Sequence, residues 1–185
     1  MDYVIVPGVG NSGDAHWQTR WEADWGRQAT RIAPASWDEP EVGNWCDALA
    51  AAVARMSPPT VLVAHSLGCL AVTEWLTRYA PAVAGAFLVA PPDPRGAAFP
   101  ARAAPSFVSL TPRPLPVPAV AIVSADDPYC APAAAYGLAA RWDVPVIAIG
   151  ALGHVNSDSG LGDWPAGRDL LTAFTAGLRP APRAV

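Results

Sequence analysis

No lysine occurs anywhere in the chain: all twelve basic side chains among its 185 residues are arginine. A P-loop lysine, a pyridoxal Schiff base and a lysine general base are therefore excluded. Charge is sparse, at 15% of residues, and the net balance of −4 comes without any basic run, which argues against nucleic acid as a partner. Cysteine is limited to Cys46, Cys69 and Cys130, an odd number with neither CxxC nor metal-ligand spacing. Small, buried, reduced thiols in a cytoplasmic protein are the expectation, with no metal and no cofactor. No apolar run approaches the roughly 20 residues that a membrane-spanning helix needs, so no membrane role is expected. Met1 to Gly10 has no cationic start and no long apolar segment, which predicts no signal peptide.

What is present is a hydrophobic, proline-rich chain, 52% apolar with 21 prolines, long enough to bury one core. Apolar runs alternate with helical patterns along it. Strands are expected at 3–6, 31–33, 60–64, 83–89, 119–124 and 144–149. Helices are expected from Asp14 or Ala15 to Trp25, and over 42–56, 67–79, 132–141 and 165–178. The alternation implies an α/β fold: a mostly parallel sheet flanked by helices, in one domain spanning 1–178, with 179–185 a loose tail. Trp17, Trp21 and Trp25 recur at helical spacing and predict one face of the first helix, Trp21 and Trp25 as core. Residues 91–118 hold many of the prolines and little periodicity. Such a stretch either edges a ligand site or travels from one side of the sheet to the other.

The most informative segment is Thr60-Val-Leu-Val-Ala-His-Ser-Leu-Gly68. An apolar strand, a tight turn with Ser66 at its tip, and a following helix form a nucleophile elbow, whose usual pattern is Gly-x-Ser-x-Gly. The first small position here is Ala64. Serine as the N-cap of an ordinary helix is the plainer alternative.

A serine hydroxyl needs a base, and the base needs an orienting acid. There are three histidines. His65 adjoins the serine, but neighbouring side chains at a sharp turn point apart. His16 lies early in the chain. His154 follows a late strand, where the order nucleophile, acid, histidine puts a base. The acid is expected after strand 119–124, at the sheet end where open α/β folds bind ligands. Asp126 and Asp127 both stand there, one of them a turn residue. The oxyanion of a tetrahedral intermediate needs preset N–H donors. Leu67, next after the serine, supplies one; the glycine-rich loop Gly8-Val9-Gly10 supplies the other, with Val9 favoured and Gly10 next.

Four blocks carry a resemblance to a known family: Val6-Pro-Gly-Val-Gly-Asn-Ser-Gly13 with His16-Trp17; Val63-Ala-His-Ser-Leu-Gly68; Ser124-Ala-Asp-Asp-Pro-Tyr-Cys130; and Gly153-His-Val-Asn-Ser-Asp-Ser-Gly-Leu-Gly-Asp-Trp-Pro165. Over nearly its whole length the chain resembles the small YdeN-type serine hydrolases related to retinoblastoma-binding protein. The resemblance implies a compact α/β-hydrolase fold without a large lid. It also implies a Ser-Asp-His triad of Ser66, Asp127 and His154, the acid being the aspartate directly before proline. Gly10, Asn11, Trp17 and Trp164 become candidates for substrate contact, packing being slightly favoured for both tryptophans. The expected activity is hydrolysis of a small-molecule ester, thioester or amide through an acyl-enzyme, with short acyl groups preferred. The alternative is a protein-binding module on the same fold, working through a protein partner.

Overall fold

The computed structural model describes residues 1–178; the expected tail, 179–185, lies outside the described residues. Six strands form one sheet in the order β2-β1-β3-β4-β5-β6, and every neighbouring pair is parallel, where a mostly parallel sheet was expected. The strands are β1 (Asp2–Val6), β2 (Ala29–Arg31), β3 (Thr60–His65), β4 (Gly85–Val89), β5 (Ala119–Val123) and β6 (Val146–Ala148).

Alternation along the central strands divides the core in two. Val4, Val6, Leu62, Ala64, Ala86, Leu88 and Ala121 face helices α2 (Val42–Ala54), α3 (Leu67–Tyr79) and α5 (Pro132–Trp142). Ile5, Val61, Val63, Phe87, Val89 and Ile122 face α1 (Trp17–Trp25) and α6 (Pro165–Ala176) on the other side. A period of two in strands that are apolar on both faces is what a sheet covered by two helical layers requires.

The connection from β1 through α1 runs outward to the edge strand β2. The chain then returns through α2 to β3, on the other side of β1. The β1/β3 boundary is thus the topological switch point, where loops leaving the carboxyl ends diverge and leave a crevice.

Several local bounds shift, with β4 starting at Gly85 rather than 83 and β6 spanning Val146–Ala148 rather than 144–149. The edge strand β2 is Ala29–Arg31 rather than 31–33, and α1 begins at Trp17 rather than at Asp14 or Ala15. The helix start is set by His16, an extended residue whose imidazole Nδ1 accepts from the Gln18 N–H at 3.1 Å. The stretch 91–118 does not run from one side of the sheet to the other, because β4 and β5 are neighbours. It contains the short helix α4 (Pro105–Val108), buries Phe99, Ala104 and Phe107 in the core, and brings Pro92 and Pro100 to the crevice. No lid domain intervenes among the described residues. Among the described residues no helix is long and apolar enough to cross a membrane.

Candidate active site

Ser66 stands between β3 and α3 with φ 55° and ψ −127°, a region that L-residues rarely occupy. Close packing around it holds that backbone. A Cβ on Gly68 would lie 2.3 Å from the Val6 carbonyl oxygen and 2.5 Å from that of Pro7, so α3 can start against β1 only with glycine there. On the opposite side, a Cβ on Gly8 would lie 2.9 Å from the Ser66 Cβ. Ala64, by contrast, is fully buried in the core beneath α3, where its methyl is accommodated.

Ser66 is half-buried, and its hydroxyl donates to His154 Nε2 at 2.8 Å. His154 Nδ1–H donates to both carboxylate oxygens of Asp127, each at 2.9 Å. Asp127 and His154 are each 8% exposed, so water does not compete for the pair. Asp127 Oδ1 is further fixed by the Tyr129 N–H at 2.9 Å. The adjacent Asp126 has a different environment. Its carboxylate accepts from the Gly153 N–H at 2.7 Å and from the Ser124 hydroxyl at 2.9 Å, and these bonds hold its pKa below the usual carboxylate value. Asp126 therefore tethers the loop that carries His154, while Asp127 faces the imidazole. A serine whose proton can pass to an imidazole held by a buried carboxylate can act as a nucleophile.

The crevice over Ser66 is a cavity of about 350 Å³, bounded by Gly8, Val9, Asn11, Leu67, Pro92, Pro100 and Tyr129 among others. The Val9 and Leu67 N–H groups donate to no protein acceptor among the described residues. Gly10, the second choice for an oxyanion donor, is excluded from that role: its N–H donates to the Trp37 carbonyl at 3.0 Å, and it does not line the cavity. Asn11 does line it, with a side-chain oxygen already accepting from the Ser12 N–H and the Arg31 guanidinium. Trp17 and Trp164, candidates for substrate contact, lie outside the cavity in the core on the α1/α6 side. They are 1% and 3% exposed, with ring centroids 5.1 Å apart. Both are tied up in packing, and the Trp17 indole N–H donates to the Val155 carbonyl at 2.8 Å.

Three buried polar side chains escaped sequence reasoning as parts of this region. Gln18, fully buried, donates to the carbonyls of Val6 (3.3 Å) and Val63 (3.0 Å), bridging the ends of β1 and β3. The only signal was a polar residue beside an otherwise tryptophan-bearing helix face. His65 donates from Nε2 to the His154 carbonyl at 2.8 Å. His16 lines the cavity, its ring centroid 4.7 Å from that of His65.

Both extra imidazoles are neutral. Burial, then the charge of Arg31 and then His154, push His16 down to about 4. Burial and the two other histidines push His65 well below the ordinary value. A histidine whose folded pKa is depressed adds no penalty above its unfolded pKa of about 6.5, and costs stability as the pH falls toward the folded value. His16 alone is worth on the order of 3 kcal/mol across that window. His16→Asn keeps a capping oxygen for the Gln18 N–H but removes the titration. The loss of urea midpoint between pH 7 and pH 4.5 is expected to shrink in that variant; an unchanged loss would contradict the assignment.

The three thiols are inert in this setting. Cys46 and Cys130 are pushed up to about 12, and Cys69 is raised well above its usual value, each chiefly by burial.

A family model described as serine hydrolase matches residues 3–173. The chain is similar to the solved structure of a YdeN-like hydrolase from Pectobacterium atrosepticum: 30% identity, TM-score 0.84, covering 97% of this chain and 92% of that one. It is also similar to the ydeN gene product of B. subtilis, at 23% identity and TM-score 0.72, covering 95% of this chain and 100% of that one. The esterase RhEst1 from Rhodococcus sp. ECU1013 aligns at 16% identity and TM-score 0.64, covering 97% and 91%. The last two likenesses, below a quarter identity, speak to the fold alone. Among curated proteins, none matches this chain.

Proposed function

The chain belongs to the serine hydrolase family and has an α/β-hydrolase fold, and from that premise we propose that Ser66, His154 and Asp127 hydrolyse a small, uncharged ester, thioester or amide through an acyl-enzyme. The observation that carries the reading is the unbroken path of 2.8 and 2.9 Å hydrogen bonds from the Ser66 hydroxyl through His154 to Asp127.

In this scheme His154 Nε2 takes the Ser66 proton as the oxygen attacks the substrate carbonyl. The oxyanion is met by the Leu67 and Val9 N–H groups, which have no other partner to give up. The imidazolium, oriented and stabilised by Asp127, protonates the leaving group. It then regains its role as base when water attacks the acyl-enzyme. No cofactor enters either half-reaction.

The substrate class follows from the cavity. Among the described residues no arginine, aspartate or glutamate lines the crevice: Pro92, Pro100, Leu67 and Val9 supply apolar surface beside polar Asn11, Asn156 and Ser157, and the Arg31 guanidinium behind Asn11 is already bonded to it and to Glu22. A carboxylate or phosphate on the acyl group would lose water there without gaining a counter-charge. About 350 Å³ suits a short acyl chain. A cytoplasmic setting accords with three free, buried cysteines.

The test is a p-nitrophenyl ester series. kcat/KM is expected to be highest for acetyl to butyryl, to fall for long chains, and to fall at least tenfold when butyryl is replaced by hemisuccinyl. The tenfold loss corresponds to about 1.4 kcal/mol of uncompensated desolvation. A steep rise toward long chains, or equal use of the hemisuccinyl ester, would contradict the assignment.

A further inference from the structure

The residue immediately before Ser66 is joined to the loop that carries His154. A carbonyl oxygen only accepts, so the 2.8 Å contact between His65 Nε2 and the His154 oxygen places the His65 proton on Nε2. His65 is 4% exposed and packs between two other imidazoles, with ring centroids 4.7 Å from His16 and 4.9 Å from His154. One residue further on, Val155 has φ 53°, a conformation that β-branched residues rarely adopt. Its carbonyl accepts the Trp17 indole N–H at 2.8 Å. Two successive carbonyls of a strained turn thus each receive a buried side-chain donor from the β3/α1 side. On the β5 side the same loop is held by the Ser124 hydroxyl, which accepts from the Leu152 N–H at 2.9 Å, and by Asp126, which accepts from the Gly153 N–H.

We propose that His65 is a positioning residue: its Nε2–H, donated to the His154 carbonyl, sets the approach of the His154 ring to Ser66. The inference rests on the reading of His154 as the base. Its physical content is that nucleophile and base are referenced to one strand end. Ser66 follows His65 in the chain, and the backbone of His154 is bonded to the His65 ring, so a movement of β3 carries both partners together. Without the donor, the buried His154 carbonyl loses its partner and the turn can relax, lengthening the Ser66–His154 contact. Displacements near 1 Å at a reacting pair cost on the order of 100-fold in rate.

The experiment compares His65→Leu with His65→Gln, measuring kcat and KM on p-nitrophenyl acetate together with Tm. Leucine fills the space without a donor; glutamine can place its amide nitrogen near the position of Nε2. His65→Leu is expected to lower kcat about 10- to 100-fold with KM little changed, and His65→Gln to recover most of that loss. Unchanged kcat in His65→Leu, or equal losses in the two variants at similar Tm, would overturn the proposal. Should the leucine variant not fold, His65→Asn serves in its place. Its shorter amide falls short of the carbonyl, and a kcat equal to that of the glutamine variant would overturn the proposal equally. Ser66→Ala, assayed alongside, separates the two readings. If it keeps full turnover, the Ser66–His154 assignment itself fails; if it is inactive while His65→Leu is unaffected, only the positioning role fails.

Discussion

Ser66→Ala and His154→Ala are each expected to lower kcat on a short p-nitrophenyl ester by a factor on the order of 10⁵ to 10⁶, and the double variant to lose no more than either alone. The reason lies in the 2.8 Å contact between the Ser66 hydroxyl and His154 Nε2. The hydroxyl is not a nucleophile without the base, and the base has no proton to take without the hydroxyl. Removing either ends the same step. What remains is the binding cavity and the unpaired N–H groups of Leu67 and Val9, which still act on a water-attacked carbonyl. Neither variant should unfold the protein. Alanine at position 66 inherits a φ of 55° that serine already occupies, and alanine at position 154 keeps the backbone carbonyl that receives the His65 N–H. Losses that multiply in the double variant would mean that the two residues act in separate steps.

Asp127→Asn is expected to lower kcat by a factor on the order of 10⁴ while leaving Tm nearly unchanged. The substitution is isosteric and can still accept the Tyr129 N–H bond now received by Oδ1. Its effect is on the proton. With a carboxylate at 2.9 Å on both oxygens, His154 must carry its proton on Nδ1 and presents a lone pair to Ser66. An asparagine amide can donate to Nδ1 instead, which moves the imidazole proton to Nε2 and turns the base into a donor facing the serine. The imidazolium formed during attack also loses its buried counter-charge. Asp126→Asn is the matched control: that carboxylate meets the Gly153 N–H and the Ser124 hydroxyl rather than the ring, and an amide oxygen can accept from both. Similar losses at the two positions would contradict the division of roles.

Much of the architecture was legible because it is written in local pattern. The runs Val61–Ala64, Phe87–Val89 and Ala119–Val123 are apolar on both faces, which only a doubly covered sheet accommodates, and each became a central strand. Ser66, the Asp126/Asp127 pair and His154 follow β3, β5 and β6, so chain order put them at one end of a parallel sheet, while the choice of Asp127 over Asp126 came from the family resemblance. The structure brings their side chains within hydrogen-bond reach of one another.

The misses share a cause, which is that they depend on partners remote in sequence. The half-buried edge strand β2 has only β1 to fix its register, and no apolar run marks its limits. The start of α1 is set by a histidine ring nitrogen, an uncommon N-cap with no reliable sequence signature. For Trp17 and Trp164 the sequence favoured packing only slightly over substrate contact, because aromatic residues beside motif blocks serve either purpose, and both are packed in the core. What decides is that the Trp17 indole finds its acceptor at Val155, on the far side of the fold in sequence. Gln18 and His65 are legible only once β1, β3 and the 150–156 loop are side by side, since each bonds carbonyls that these elements present. The 91–118 stretch lacked periodicity because its core residues, Phe99, Ala104 and Phe107, come from proline-bearing turns and one four-residue helix, too short to set a repeat.

The central claim is that Ser66 is an activated nucleophile, and the most direct measurement is reaction with a fluorophosphonate probe followed by peptide mapping. The account predicts one stoichiometric adduct on the Ser66 hydroxyl in the wild-type protein, none in Ser66→Ala, and strongly slowed labelling in His154→Ala. A folded wild-type protein that does not react, or an adduct on any other residue, would contradict it.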